Sequence, residues 1–304
     1  MKEENPWVKS TNFLAIVACV LWATAFVGIK IGLNYAEPFQ FAGIRFFISG
    51  LLILPFIPNL KGKLKVAKMN FGKIIFVGIV QIFLQYALFY SGMDMVPGAL
   101  GAMIIGSGPL FIAVTAHFVL KSDKISGRKL FSILLGLMGI IVISLGRNQM
   151  GVVGPLVGFG ILILIGNNVL SGFGNILVAS DRRRIPPLVL SSFSMIIGGG
   201  MLFVLGLIVE GPSRGPFPLE FFVALSWLSF LSAAAISIWY TLLKRPEVKV
   251  STLNMWKFII PVLGAVLSWL ILPDEEPSLL AIIGMVLVAV ALLTLNLHAK
   301  KRGI

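Results

Sequence analysis

Charge is scarce in this chain of 304 residues: Asp, Glu, Lys and Arg together make up 12% of it, against about 25% in a soluble domain. So few charges cannot cover a globular surface, which excludes a soluble single-domain enzyme. Cysteine is almost missing, and the lone Cys19 excludes an intrachain disulfide and a cysteine-rich metal site. Histidine is limited to His117 and His298. No Asp or Glu falls near the middle of any apolar stretch, so no embedded carboxylate is offered for a proton relay. Paired carboxylates and zinc motifs are missing from the apolar stretches too.

What the chain has is apolar surface. Hydrophobic residues reach 58% and mean hydropathy is +0.98, the opposite of a disordered composition. A helix crosses a bilayer with about 20 apolar residues. Ten such stretches are readable, at roughly 12–34, 39–58, 72–92, 98–120, 129–146, 155–179, 187–209, 219–243, 250–272 and 278–298. The runs are continuous rather than alternating with period two, which excludes a transmembrane barrel. The first run is too long for a cleavable signal peptide and lacks a small-residue cleavage site. The expected fold is an all-α integral membrane protein of ten transmembrane helices.

The net charge of +13 would point to nucleic acid in a soluble chain. Its distribution says otherwise. Taking alternate connections and both ends together, one set contains Lys2, Lys9, Lys61, Lys63, Lys65, Lys68, Lys73, Lys121, Lys124, Arg128 and Lys129. It continues with Arg182, Arg183, Arg184, Lys244, Arg245, Lys249, Lys300, Lys301 and Arg302, making 20 of the 25 cations. The other set contains only Arg147 and Arg214. The positive-inside rule then puts both termini in the cytoplasm. The basic runs are topology determinants, and no nucleic-acid partner is expected.

Two halves echo each other. An offset of 152 brings Pro109 onto Pro261, Asp123 onto Glu275 and Ser126 onto Ser278; an offset of 148 brings Pro38 onto Pro186. Five spans per half is an odd number, so the halves, 1–148 and 149–304, enter the membrane with opposite topology. Inverted repeats are a mark of secondary transporters, because similar halves exchanging conformations turn an inward-open cavity outward.

Certain positions carry a more specific likeness: Trp22 early in the first span, Lys30 near its outer end, Pro38, the Arg45-Phe46 pair, Pro109 followed by Asp123, and Pro261 followed by Glu275. With the ten spans and the repeat, this layout resembles the EamA-type family of the drug/metabolite transporter superfamily over nearly the whole chain. The family's usual acid is Glu, so Asp123 departs from it. The resemblance implies movement of small metabolites, often outward, by alternating access. It implies a cavity among the first, third, fourth, sixth, eighth and ninth spans.

Those spans contain polar and aromatic residues suited to such a lining. The third offers Gln81, Gln85 and Tyr86, with the two glutamines four apart on one face. The sixth offers a stripe of Asn168, Ser171 and Asn175. Trp22, Phe26, Trp239 and Trp256 would supply apolar walls. Unpaired amides are costly in lipid and must face protein or a cavity, so interhelical hydrogen bonding is the competing role. Lys30, Arg45 and Lys257 are the three cations inside spans, with Arg45 roughly 10 Å deep. They are candidates for attracting an anionic substrate group or for gating. Pro109 and Pro261 are candidate hinges. Gly28 with Gly32, Gly154 with Gly158, Gly136 with Gly139, and Gly198 to Gly200 are candidate close-packing faces.

The reading is therefore a multi-pass transporter of a bacterial inner membrane that exports amino acids or related zwitterionic or anionic compounds, with a small-molecule substrate and the lipid bilayer as partners. It needs no cofactor or metal, and is a monomer or homodimer. Multidrug efflux and lipid scrambling are the alternatives. An intramembrane serine enzyme is excluded, since Ser107 and His117 are about 15 Å apart on one helix.

Overall fold

Apolar helices dominate because the backbone can satisfy itself nowhere else in hydrocarbon. The computed structural model describes residues 10–96, 98–145, 155–181, 185–213, 215–271 and 279–296. Every regular element among them is helical. In chain order these are α1 Thr11–Gly32, α2 Pro38–Ile53, α3 Leu60–Met69, α4 Phe71–Met95, α5 Gly98–Gly106, α6 Gly108–Val119 and α7 Gly127–Leu145. They continue with α8 Pro155–Ser180, α9 Pro187–Val209, α10 Leu219–Leu243, α11 Val250–Met255, α12 Ile259–Ile271 and α13 Leu279–Asn296. Six helices among the described residues are long and apolar enough to cross a membrane: those at Thr11–Ile29, Pro38–Phe56, Phe71–Met95, Leu156–Ser180, Pro187–Val209 and Leu219–Leu243. The chain is an integral membrane protein with several such helices.

The structure resolves into two compact units, and each draws on both halves of the sequence. The first contains residues 1–90 and 177–246; the second contains 91–176 and 247–304.

In the first unit, α2 packs on α9 through glycine. A Cβ at Gly50 would meet the Ser192 carbonyl oxygen at 2.5 Å, and one at Gly199 would meet the Phe47 backbone nitrogen at 2.6 Å. Two backbones this close leave no room for a side chain. Ser192 Oγ uses the approach and donates to the Gly50 carbonyl at 2.7 Å. The start of α2 is fixed by α9 as well: Glu210 at its end accepts from the backbone of Phe39 at 2.8 Å and of Gln40 at 3.2 Å. A carboxylate there satisfies free N–H groups and complements the helix dipole.

The second unit pairs α7 with α13 in the same manner. A Cβ at Gly139 would meet the Gly284 carbonyl oxygen at 2.6 Å. Around it lies a buried cluster of Ile133, Ile140, Ile143, Phe258, Val288 and Leu292. Phe258 lies against Gly136.

The candidate packing glycines separate accordingly. Gly28 faces the Leu228 side chain, Gly32 faces the Phe41 ring, and Gly198 faces Gly78 and Ile82. Gly158 has open space around its Cβ position, and Gly200 meets only the Phe47 ring at 3.8 Å, so neither makes a close approach. Gly154 lies outside the described residues.

Candidate functional site

Arg45 stands about two turns into α2 and is 3% exposed. The carbon of its guanidinium lies 4.3 Å from the Phe46 ring centroid and 5.5 Å from that of Tyr86. The two rings lie 4.3 Å apart. Among the described residues no carboxylate pairs with Arg45, and its Nε has no hydrogen-bond partner. Aromatic faces offset part of the cost of burying the charge, but an unpaired guanidinium still lacks a counter-ion. Tyr86 continues into an aromatic run through Phe89 and Tyr90 to Phe39.

Further polar atoms of the same unit are buried and unpaired among the described residues: Gln81 Nε2, Gln85 Oε1, Tyr90 Oη, Ser229 Oγ and Tyr240 Oη. Gln81 lies on a π turn, Ile79–Leu84, and Gln85 follows it directly. Such a turn adds a residue to the helical repeat and occurs often at functional sites. It also stretches the four-residue spacing that would stack Gln81 over Gln85 on a regular helix. Trp22 and Trp239 meet edge to face, 5.0 Å between centroids. The side chains of Phe26 and Lys30 lie outside the described ones.

In the second unit the predicted polar stripe is largely spent on the protein itself. The fourth apolar stretch is broken at Ser107, between α5 and α6. At the break the carbonyl of Ile104 accepts from Ser107 N at 3.1 Å, from Ser107 Oγ at 2.6 Å and from Asn168 Nδ2 at 2.5 Å; Asn168 Nδ2 also donates to Ser107 Oγ at 3.4 Å. Asn175 donates to the Ser171 carbonyl at 2.7 Å and accepts from Asn254 at 3.3 Å. The neighbouring Asn167 Oδ1 is buried without a partner among the described residues. Trp256 packs against the α7–α13 cluster, and Lys257 is half-buried. Pro109 falls in the first turn of α6, where its missing N–H costs no helical bond. Pro261 falls in the first turn of α12, after a 3₁₀ turn at Trp256–Phe258. Both prolines thus follow an interruption and start a new segment.

Two buried ion groups are not legible as such in the sequence. Asp123, 1% exposed, accepts from Lys129 Nζ at 2.8 Å, from the Ser251 backbone at 2.8 Å and from Ser251 Oγ at 2.5 Å. Burial alone would raise its pKa, but the hydrogen bonds from Lys129 and Ser251 outweigh burial and hold the carboxyl below its ordinary value. Its repeat partner Glu275 lies outside the described residues. In the first unit, Asp181 faces Lys73 at 3.0 Å and Lys244 at 3.3 Å. Burial pushes Lys244 below its ordinary pKa, Asp181 opposes the shift, and Lys73 adds to it. The signal for Asp181 was a single acid directly before three arginines, which as a run reads only as a topology label. Among the described residues no three His, Cys, Asp or Glu side chains form a group able to hold a metal.

A helical membrane protein with buried, unpaired polar groups fits a carrier. The model of the EamA-like transporter family matches residues 9–145 and 158–297, and the chain belongs to that family. It is a membrane transporter. It is 25% identical over 304 residues to the uncharacterized transporter YvbV of Bacillus subtilis (strain 168), covering 98% of this chain and 95% of that one. It is 25% identical over 298 residues to a probable amino-acid metabolite efflux pump of Escherichia coli (strain K12), covering 93% and 94%. The inner membrane transporter YedA of the same strain is 26% identical over 283 residues, covering 91% and 88%. A solved crystal structure shares the fold, with a TM-score of 0.83 at 21% identity, covering 96% of this chain and 98% of that one.

Proposed function

We propose that this transporter exports amino acids or closely related zwitterionic or anionic metabolites by alternating access, through ten spans in two inverted five-span repeats. Both termini lie on the cytoplasmic side of a bacterial inner membrane. The chain acts without catalytic chemistry or a cofactor, as its transporter relatives suggest. The relative that acts as a probable amino-acid metabolite efflux pump, aligned along 93% of the chain, supports the substrate class.

The observation that carries the reading is Arg45. A guanidinium 3% exposed, stacked on Phe46 and without a carboxylate among the described residues, lacks the counter-ion that a substrate carboxylate supplies. Two-pronged pairing with a carboxylate is the geometry in which Arg excels. Tyr86, Gln85 and Tyr90 supply a polar and aromatic surround for the remainder of a small molecule. The same positive charge counts against hydrophobic cations, the substrates of multidrug efflux.

A thermal-shift screen against amino acids and related metabolites tests this, because a ligand of the folded state raises its apparent stability. The expected result is a shift for carboxylate-bearing compounds that disappears in Arg45→Leu. A shift that survives that substitution unchanged would move the site elsewhere.

A further inference from the structure

The helix α3 joins α2 to α4 and carries four lysines, Lys61, Lys63, Lys65 and Lys68. Between Glu37 and Asp94 the sequence has no acid at all. Asn59 starts α3 in the left-handed region, φ 50°, and its side chain accepts from Gly62 N at 3.3 Å. That cap sets the rotational phase of the helix. Lys61, Lys65 and Lys68 are spaced four and three apart, so they share one face, and all three are exposed. None makes an ion pair among the described residues. Leu64 and Met69 stand on opposite edges of this lysine stripe, 45% and 77% exposed. Phe56 before the helix and Phe71 after it are exposed as well. The opposite side, with Ala67 buried and Leu60, Lys63 and Val66 half-buried, packs on the protein.

We infer that this face of α3 binds anionic phospholipid headgroups at the membrane boundary, with Leu64 and Met69 entering the acyl region and Lys61, Lys65 and Lys68 pairing with phosphate. Orientation of the chain needs the loop's positive charge but not its arrangement; scattered lysines would serve equally. Here apolar side chains flank a cationic stripe, whose long stems cover apolar surface while their charged ends reach the headgroups, as on an interfacial helix. Charge complementarity favours a lipid with net negative charge over a zwitterionic one. Basic residues near an anionic surface each contribute a fewfold in affinity, and three together amount to on the order of 100-fold. Lys73, next along the chain, is already engaged by Asp181 and is not part of the face.

The test is native mass spectrometry of the purified full chain in detergent, titrated with phosphatidylglycerol and with phosphatidylcholine. The wild type is expected to retain phosphatidylglycerol in large preference, and the preference is expected to weaken at high salt. The triple variant K61Q/K65Q/K68Q is expected to bring the two lipids close to parity, and K61R/K65R/K68R to keep the preference. Leu64→Ser with Met69→Ser is expected to weaken retention of both lipids while leaving their ratio. An undiminished preference in the triple glutamine variant, or no preference in the wild type, overturns the inference. Displacement of phosphatidylglycerol by soluble polyglutamate from the wild type would assign the face to an acidic polypeptide and overturn it as well.

Discussion

The Arg45 guanidinium rests 4.3 Å from the Phe46 ring, inside the protein, with no carboxylate paired to it among the described residues. A charge retained for stability would have an acid beside it, because burial of an uncompensated ion is expensive. Arg45→Leu is therefore expected to unfold within about 1 kcal/mol of wild type, since an apolar replacement removes the desolvation cost and forfeits the ring contacts and a hydrogen bond to Tyr86. Thermal unfolding in detergent checks this. A loss of several kcal/mol would make Arg45 a structural residue.

Asp123 behaves in the opposite sense. Its folded-state pKa is lowered, so the stability it contributes is fully present above its ordinary value of 3.8 and is lost as pH falls through the folded-state value. Asp123→Asn is expected to cost about 3–5 kcal/mol at neutral pH, because Lys129 is left as a buried charge without its partner. The deficit relative to wild type is expected to shrink below about pH 4, where the unfolded-state carboxyl takes up a proton, until the pH passes below the lowered folded-state value. Asp123→Asn combined with Lys129→Met is expected to recover most of the loss. Denaturation of the wild type and both variants at pH 7 and at acid pH measures it. A deficit that stays constant with pH would contradict the assignment.

Adjacent glycines on α9 are expected to respond differently to one methyl group. At Gly199 a Cβ would fall 2.6 Å from the Phe47 backbone nitrogen and 2.9 Å from the Gly43 carbonyl oxygen; at Gly200 the nearest atom is 3.8 Å away. Gly199→Ala must push two helix backbones apart, and overpacking of that kind costs about 1–3 kcal/mol. Gly200→Ala is expected to be neutral or slightly stabilising through helix propensity. Paired melting curves decide it.

Asn168 gives a comparable separation between structure and transport. Its amide adds a third donor to the Ile104 carbonyl at the break before α6, beside Ser107 N and Ser107 Oγ. Asn168→Leu removes one of three donors to that carbonyl, which keeps Ser107 N and Ser107 Oγ, so the cost is about 0.5–1.5 kcal/mol. The expected outcome is a lowered melting point with the substrate-induced shift preserved in size. Loss of the shift with an unchanged melting point would instead return Asn168 to the substrate.

The contrast between Arg45 and Asn168 shows what sequence carried and what it did not. The apolar runs were plain in the chain, because length and hydropathy are local properties. Arg45 was visible as a cation inside a span, but its burial against the Phe46 ring was not. The role of Asn168 was not legible: an amide in an apolar stretch needs a partner, but whether that is a cavity or a carbonyl depends on a break at Ser107 contributed by another helix. The π turn at Ile79–Leu84 has no residue signature, and it changes which face Gln85 shares. Pro109 and Pro261 mark interruptions correctly by neighbourhood, yet each begins a segment rather than bending one. A close-packing face at Gly198 to Gly200 was legible, but its partner α2 was not, and only the backbone approach distinguishes Gly199 from Gly200.

Counterflow in proteoliposomes addresses the central claim most directly. Vesicles loaded with an unlabelled amino acid and diluted into the labelled compound are expected to show transient, saturable accumulation with the wild type. Arg45→Leu, folded and reconstituted to the same density, is expected to lose it. Equal counterflow by the two proteins would contradict the account.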